Sequence, residues 1–339
     1  MSNPERTLTS SLVSPTWQAI CIALSLISII SIISIRSSFV SHNDPVPPLD
    51  CAFSVPPTRT HTLTMGLYID EFFSFDILKN SFGLAGSVWY SWPTDKPYDH
   101  PELLERLDIV QGTITERGTP DYIQSGDLTV MRIPIRLTFH APINYVRFPL
   151  TDHRICLLMR NLYLDARKIN INAPQDSITL AHQPTSWSLE KITTISGCAR
   201  YVLDNASDIT MHYPYIMILF NFSRHALRYI ITLFLPLLVV FYVALLSLSL
   251  ANSTGLSVAI SACTGLAGYR FGMEGFVPQV GYFTSSDYLF FLILLAILSI
   301  IITLVFDTFV KPVALWYKKF LIAILHMLLI GALLVLSFA

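Results

Sequence analysis

The last 115 residues constrain this chain more than any other part of it. Segments 229–250, 288–310 and 320–338 are dense in Leu, Ile, Val and Phe. At 1.5 Å of rise per helical residue, each is long enough to cross ~30 Å of hydrocarbon. Between the first two lies segment 256–272, rich in Ser, Thr, Gly and Ala, which makes a poor lipid-facing helix. A helix too polar for lipid, set among helices that suit it, is what a water-filled pathway needs.

At 339 residues the chain has room for about two domains. An apolar fraction of 53%, a charged fraction of 13% and a mean hydropathy of +0.54 exclude an ordinary soluble protein. Charge is segregated. From Ala226 onward, His326 aside, it is confined to Arg228, Arg270, Glu274, Asp287, Asp307, Lys311, Lys318 and Lys319, whereas residues 40–225 have globular composition. A net charge of −1 supplies no field for nucleic acid.

Another apolar run, residues 19–35, comes after a hydrophilic start carrying Glu5 and Arg6. Its length exceeds the usual ~7–15-residue signal core and favours an uncleaved anchor, while Ser37, Ser38 and Ser41 offer a peptidase small residues. Either way it exports the region C-terminal to it. With residues 44–224 outside, the later helices cross in, out, in and out. Lys311, Lys318 and Lys319 then fall inside, as the positive-inside rule asks. The expected organisation is residues 1–43 as signal peptide or anchor, 44–224 as an extracellular β-sandwich, and 225–339 as a four-helix transmembrane domain.

The exported part reads as strands at 62–72, 82–92, 128–139, 154–161, 169–172, 187–195 and 211–222, at spacings typical of a sandwich. Residues 73–81 read as a turn, and residues 100–110 as a short helix opened by Pro101. Of five cysteines only Cys51, Cys156 and Cys198 are exported, so at most one disulfide forms within the chain. No CxxC or CxxH spacing signals a metal, and no GxSxG, HExxH or Gly-rich phosphate loop signals catalysis. Neither a cofactor nor an enzymatic reaction is expected.

On a helical wheel Ser253, Ser257, Ser261, Thr264 and Gly268, spaced 4, 4, 3 and 4 apart, share one stripe about 80° wide. Ile260, Ala267 and Phe271 share or border it. Several copies of such a helix round an axis would give rings of hydroxyls, which replace part of an ion's hydration, and an apolar ring that gates by dewetting. The same small residues, with Gly255, Gly265 and Gly272, also suit close helix packing in a membrane.

Several local motifs occur in a consistent order. Residues 69–76, Ile-Asp-Glu-Phe-Phe-Ser-Phe-Asp, lead to Asn80-Ser81-Phe82. Next come Trp92-Pro93-Thr94-Asp95 and Phe148-Pro149-Leu150-Thr151-Asp152-His153, then Arg224, Tyr229 and Pro236, then Val277-Pro278 and Tyr282-Phe283-Thr284. Across residues 60–339 this layout resembles the pentameric ligand-gated ion channels, the Cys-loop receptor superfamily, in its bacterial branch without a large cytoplasmic insert. The chain departs from the family's Phe-Pro-Phe-Asp loop by having Thr151 at the aspartate, with Asp152 one place later. It lacks the cysteine that would close that loop with Cys156, and a short helix after Pro101 replaces the Asp-Arg-Leu continuation.

The resemblance implies a homopentameric channel gated by a small-molecule agonist or by protons, seated in the bilayer of the cell (inner) membrane with its β-domain on the outer or periplasmic side. Ser253, Ser257, Ile260, Ser261, Thr264, Gly268 and Phe271 would line its pore, with Phe271 as an outer hydrophobic ring. The resemblance implies coupling through Asp76, Phe148, Pro149, Asp152, Arg224, Pro278 and Tyr282, with Arg224 between Asp152 and Asp76. An arginine there can equally anchor at headgroups. It places an aromatic ligand site between subunits at Tyr163, Asp165, Tyr201 and Tyr213, faced by Trp89 or Trp92, although aromatics at strand spacing are also core residues. At the inner mouth, residues 249–254 carry neither the glutamate usual in the family's cation-selective members nor the anion-selective Pro-Ala-Arg pattern, so charge selectivity stays open, with the absence of a basic ring tilting slightly to cations. The alternatives are a non-conducting, membrane-anchored extracellular sensor or assembly protein, and a membrane enzyme, which the scarcity of acid–base groups in the helices disfavours.

Overall fold

The computed structural model describes residues 13–36, 44–46, 61–149, 152–185, 187–204, 209–224, 227–277 and 279–338. It divides into a sheet unit, His42–Asn144 with Asp152–His225, and a helical unit, Met1–Ser41, Tyr145–Thr151 and Ala226–Ala339.

Helix α1 (Pro15–Arg36) belongs to the helical unit, and the sheet unit opens with strands β1 (His61–Asp76) and β2 (Ser81–Pro93). The expected nine-residue turn shrinks to residues 77–80, because β1 continues through Asp76. Asp76 closes that turn by accepting the Lys79 N–H at 3.1 Å and pairing with its ammonium at 3.4 Å, while Asn80 supplies the left-handed residue at φ 53°. The predicted helix after Pro101 is one turn, α2 (Pro101–Leu104), anchored by fully buried Leu104. It then yields to β3 (Asp108–Ile109), which pairs with Arg160 and Met159.

Beyond these come β4 (Gly112–Arg117), β5 (Asp121–Ser125), β6 (Leu128–His140), β7 (His153–Arg160), β8 (Ile169–Asn172), β9 (Ile178–Leu180), β10 (Trp187–Asp204) and β11 (Ile209–Arg224). A 7-stranded sheet runs β4-β6-β2-β1-β8, with β5 beside β6 and β9 beside β1, and a 4-stranded sheet runs β10-β11-β7-β3. Period-two burial builds the core. Leu63, Met65, Leu67 and Ile69 of β1 and Met131, Ile133, Ile135, Leu137 and Phe139 of β6 all point inward. Phe72 meets Phe220 and Phe222 edge-on at 5.8 and 5.7 Å, so the two sheets pack face to face as a sandwich.

Strand β11 is buried on both faces over residues 213–222. Its second face, Tyr215, Met217 and Leu219 with Cys156, is packed by Val46, Leu158, Ile195 and Ala199. Burial pushes the Cys156 thiol up to about 11, and Cys156 forms no disulfide.

In the helical unit α1 is joined by α3 (Leu227–Leu246), α4 (Asn252–Met273), α5 (Ser285–Val305) and α6 (Leu315–Phe338). Among the described residues three stretches are long and apolar enough to cross a membrane, Ile231–Ser249, Ser285–Val310 and Leu315–Val335, and α1 contributes a shorter apolar stretch, Thr16–Ser31. Helix α4, with its Ser, Thr and Gly, is not among them. One apolar cluster holds the unit together, with Phe241 and Leu245 of α3, Ala259, Ala262 and Leu266 of α4, Leu289, Ile293, Ile297 and Ile300 of α5, and Ile322 and Leu329 of α6. Gly255 is obligatory at one crossing: a Cβ there would sit 2.5 Å from the Ser247 carbonyl oxygen.

Of the three lysines expected between the last two helices, one is not free at the surface. Lys318 is fully buried and bonded to Asp307 at 2.6 Å, so it contributes little free positive charge.

Candidate functional site

Helix α4 has two unlike faces. Gly255, Ala259, Ala262 and Leu266, spaced 4, 3 and 4 apart, are buried against the neighbouring helices. Ser253, Ser257, Ile260, Ser261, Thr264, Gly268 and Phe271 are all exposed, with Phe271 at 77% the most exposed large apolar residue among those described. The hydroxyls on this face are oriented. Ser257, Ser261 and Thr264 each donate to the carbonyl four residues back, on Ser253, Ser257 and Ile260, at 3.1, 2.9 and 3.1 Å. With each proton committed to the backbone, the face presents oxygen lone pairs.

At the C-terminal end of α4, Arg270 turns toward α5, where its guanidinium lies 2.7 Å from Asp287 Oδ1. A cavity of about 690 Å³ opens there, lined by Phe271, Glu274, Tyr282 and Phe283 beside that ion pair. A second, of about 370 Å³ and largely apolar, lies between α3 and α4 at Val239, Val243, Ser257 and Ser261.

The first turn of α5 has backbone N–H groups with no partner inside the helix. Thr284 and Asp287 form a capping box, in which Asp287 Oδ2 accepts the Thr284 N–H at 2.9 Å and the Thr284 hydroxyl at 2.8 Å. Residues 145–149 supply the rest. The Val146 carbonyl accepts the Ser285 N–H at 2.8 Å and its hydroxyl at 3.1 Å, and the Phe148 carbonyl accepts the Ser286 N–H at 3.1 Å. The Tyr282 hydroxyl oxygen accepts the Tyr145 N–H at 3.0 Å. Phe148 is buried, and its bond to Pro149 is cis. Of the expected coupling residues, Phe148, Pro149 and Tyr282 therefore share one cap; Pro278 lies outside the described residues.

In the sheet unit, Asn144 and the start of β7, on either side of that segment in the chain, are held by a residue that sequence reasoning missed. The buried Asp44 carboxylate accepts the Asn144 N–H at 2.7 Å and the Arg154 N–H at 2.6 Å, and lies 3.4 Å from His153 Nδ1. A lone aspartate just beyond the first apolar run carries no sequence signal of this kind. Asp44→Ala removes the buried carboxylate from two part-buried N–H groups and is expected to cost about 2–4 kcal/mol. Thermal unfolding measures this, and Asp44→Asn, which keeps one acceptor, should lose less. Asp76 is engaged with Lys79, Asp152 is half-buried, and the Arg224 side chain lies outside the described residues, as does that of Tyr201.

The expected aromatic site is mostly packing. Trp92 and Tyr213 are buried within the chain, Trp92 edge-on to Tyr98 at 6.3 Å and the Tyr213 hydroxyl on Met211 Sδ at 3.0 Å. Trp89 is half-buried over Gly66, where a Cβ would lie 2.2 Å from its ring. Tyr163 is exposed, but the Arg106 guanidinium covers one ring face at 4.6 Å. Hydrogen bonds from Arg167 hold the Asp165 carboxyl below the usual carboxylate range. Within the chain, the Arg106 guanidinium is a cation that this tyrosine meets.

Comparison of the chain with protein-family models and with curated proteins finds no match.

Proposed function

We propose that the protein is a homopentameric ion channel of the pentameric ligand-gated type, opened by a small ligand or by protons. Helices α3–α6 are its four-helix transmembrane bundle, α4 lines the pore, and the sandwich faces the outside of the cell membrane. The observation that carries this reading is the polar face of α4. In a unit otherwise built for lipid, a 22-residue helix leaves its hydroxyl stripe uncovered while burying the opposite side. Such a face suits water and further copies of itself rather than hydrocarbon. Outward lone pairs from Ser257, Ser261 and Thr264 suit cations.

Two measurements on the purified full chain test the proposal. Its mass in detergent should be that of five copies, and reconstituted protein should pass cation current on addition of acid or agonist. A monomer or dimer that passes no current would favour the second reading, a membrane-anchored sensor whose α4 glycines serve helix packing.

A further inference from the structure

We infer that α1 is not a removable leader but a fifth membrane helix of the mature protein, docked on α3 and α6, its N-terminal end on the side of the membrane shared with the α5–α6 turn. Its two faces are unlike. Ile20, Leu24, Ile27 and Ile30 are 58–62% exposed and suit lipid, whereas Gln18, Ser25 and Ile29 are buried. Positions 18, 25 and 29 recur at seven and four residues, the repeat of one helix face. Ile29 joins the apolar cluster of the helical unit, Trp17 packs against that cluster, and α1 lies along α6.

The polar residues on the buried face meet groups on α3, although the buried Gln18 Oε1 accepts no hydrogen bond among the described residues. Gln18 Nε2 donates to the Leu245 carbonyl at 3.0 Å, and that carbonyl is among the last four of α3, which have no acceptor role inside the helix. The Ser25 hydroxyl lies 2.9 Å from the Ile22 carbonyl and 2.7 Å from the Tyr242 hydroxyl, a pair in which either oxygen can donate. Without α1, the Leu245 carbonyl and the Tyr242 hydroxyl would lose these partners in a unit where polar groups are costly to leave unpaired. A leader cut away after export has no use for such pairing.

The order of the contacts sets the direction. Gln18 meets Leu245 and Ser25 meets Tyr242, so α1 rises as α3 descends. The same end of the unit carries Gly255, at the start of α4, where an added Cβ would lie 3.6 Å from Leu304 at the end of α5. The start of α1 and the α5–α6 turn therefore share a side.

The test does not depend on whether the protein conducts. Intact mass and N-terminal sequencing of the protein purified from membranes should find residues 15–36 present, and a chain starting after Arg36 would overturn the inference. A tag at the amino terminus should resist protease added outside sealed right-side-out vesicles; its digestion would reverse the topology. For docking, Ser25→Ala, Tyr242→Phe and the double variant are compared by thermal midpoint. The double variant should lose no more than the worse single, because both remove one hydrogen bond. Strictly additive losses would mean that α1 sits elsewhere.

Discussion

Asp307→Ala is expected to destabilise the helical unit by about 3–5 kcal/mol, the usual cost of leaving one member of a buried ion pair without its partner. The Lys318 ammonium is fully buried and bonded to Asp307 Oδ2 at 2.6 Å, while Oδ1 accepts the Val313 N–H at 2.7 Å. One carboxylate thus ties the π-helical turn Phe306–Val310 to the start of α6. Removing it strands a charge and a backbone donor together. Replacing both members, as Asp307→Leu with Lys318→Met, should recover most of the loss, since buried pairs exchanged for apolar residues are often neutral. Thermal unfolding in detergent distinguishes the two. Equal losses in the single and double variants would mean that the pair's geometry, not its charge balance, holds the turn.

Phe271→Ser should raise the resting current of reconstituted protein by about tenfold or more, the ratio that ~1.4 kcal/mol of shift in the closed–open balance produces. Phe271 is the bulkiest side chain on the uncovered face of α4, and it is 77% exposed instead of packed on α5. Repeated round an axis, such rings would narrow the path and expel water. Ser257→Ala should instead change conductance or ion preference while leaving resting current near its original level, because it alters what the passing ion touches. Unchanged resting current in Phe271→Ser would move the constriction to Ile260 or Thr264.

The strands with one buried face were readable because period-two burial writes itself into the sequence. Leu128–His140 and Ile169–Asn172 came out within a residue of their expected bounds. Strands β4 and β5 were missed for the converse reason: neither buries a residue, so neither carries the alternation. The helix expected through residue 110 failed because its charged sequence suits a helix, while pairing of Asp108 and Ile109 with β7 prevails over that preference. The α4 stripe was legible because it is a matter of spacing alone. The Asp44 clamp was not, since it joins positions 100 and 110 residues apart through backbone N–H groups that carry no mark in the sequence. Trp92 and Tyr213 show the limit of reading aromatics: composition does not reveal which ring is spent on the core.

The cap on α5 also makes the helix a gauge. The amide protons of Ser285 and Ser286 are covered by the Val146 and Phe148 carbonyls, groups from a distant part of the chain. While residues 145–149 are seated, those two amides should exchange with deuterium slowly; each excursion of the segment exposes both at once, leaving amides deeper in α5 protected. Their exchange rate under resting and activating conditions therefore counts how often the segment lifts, without any electrical recording.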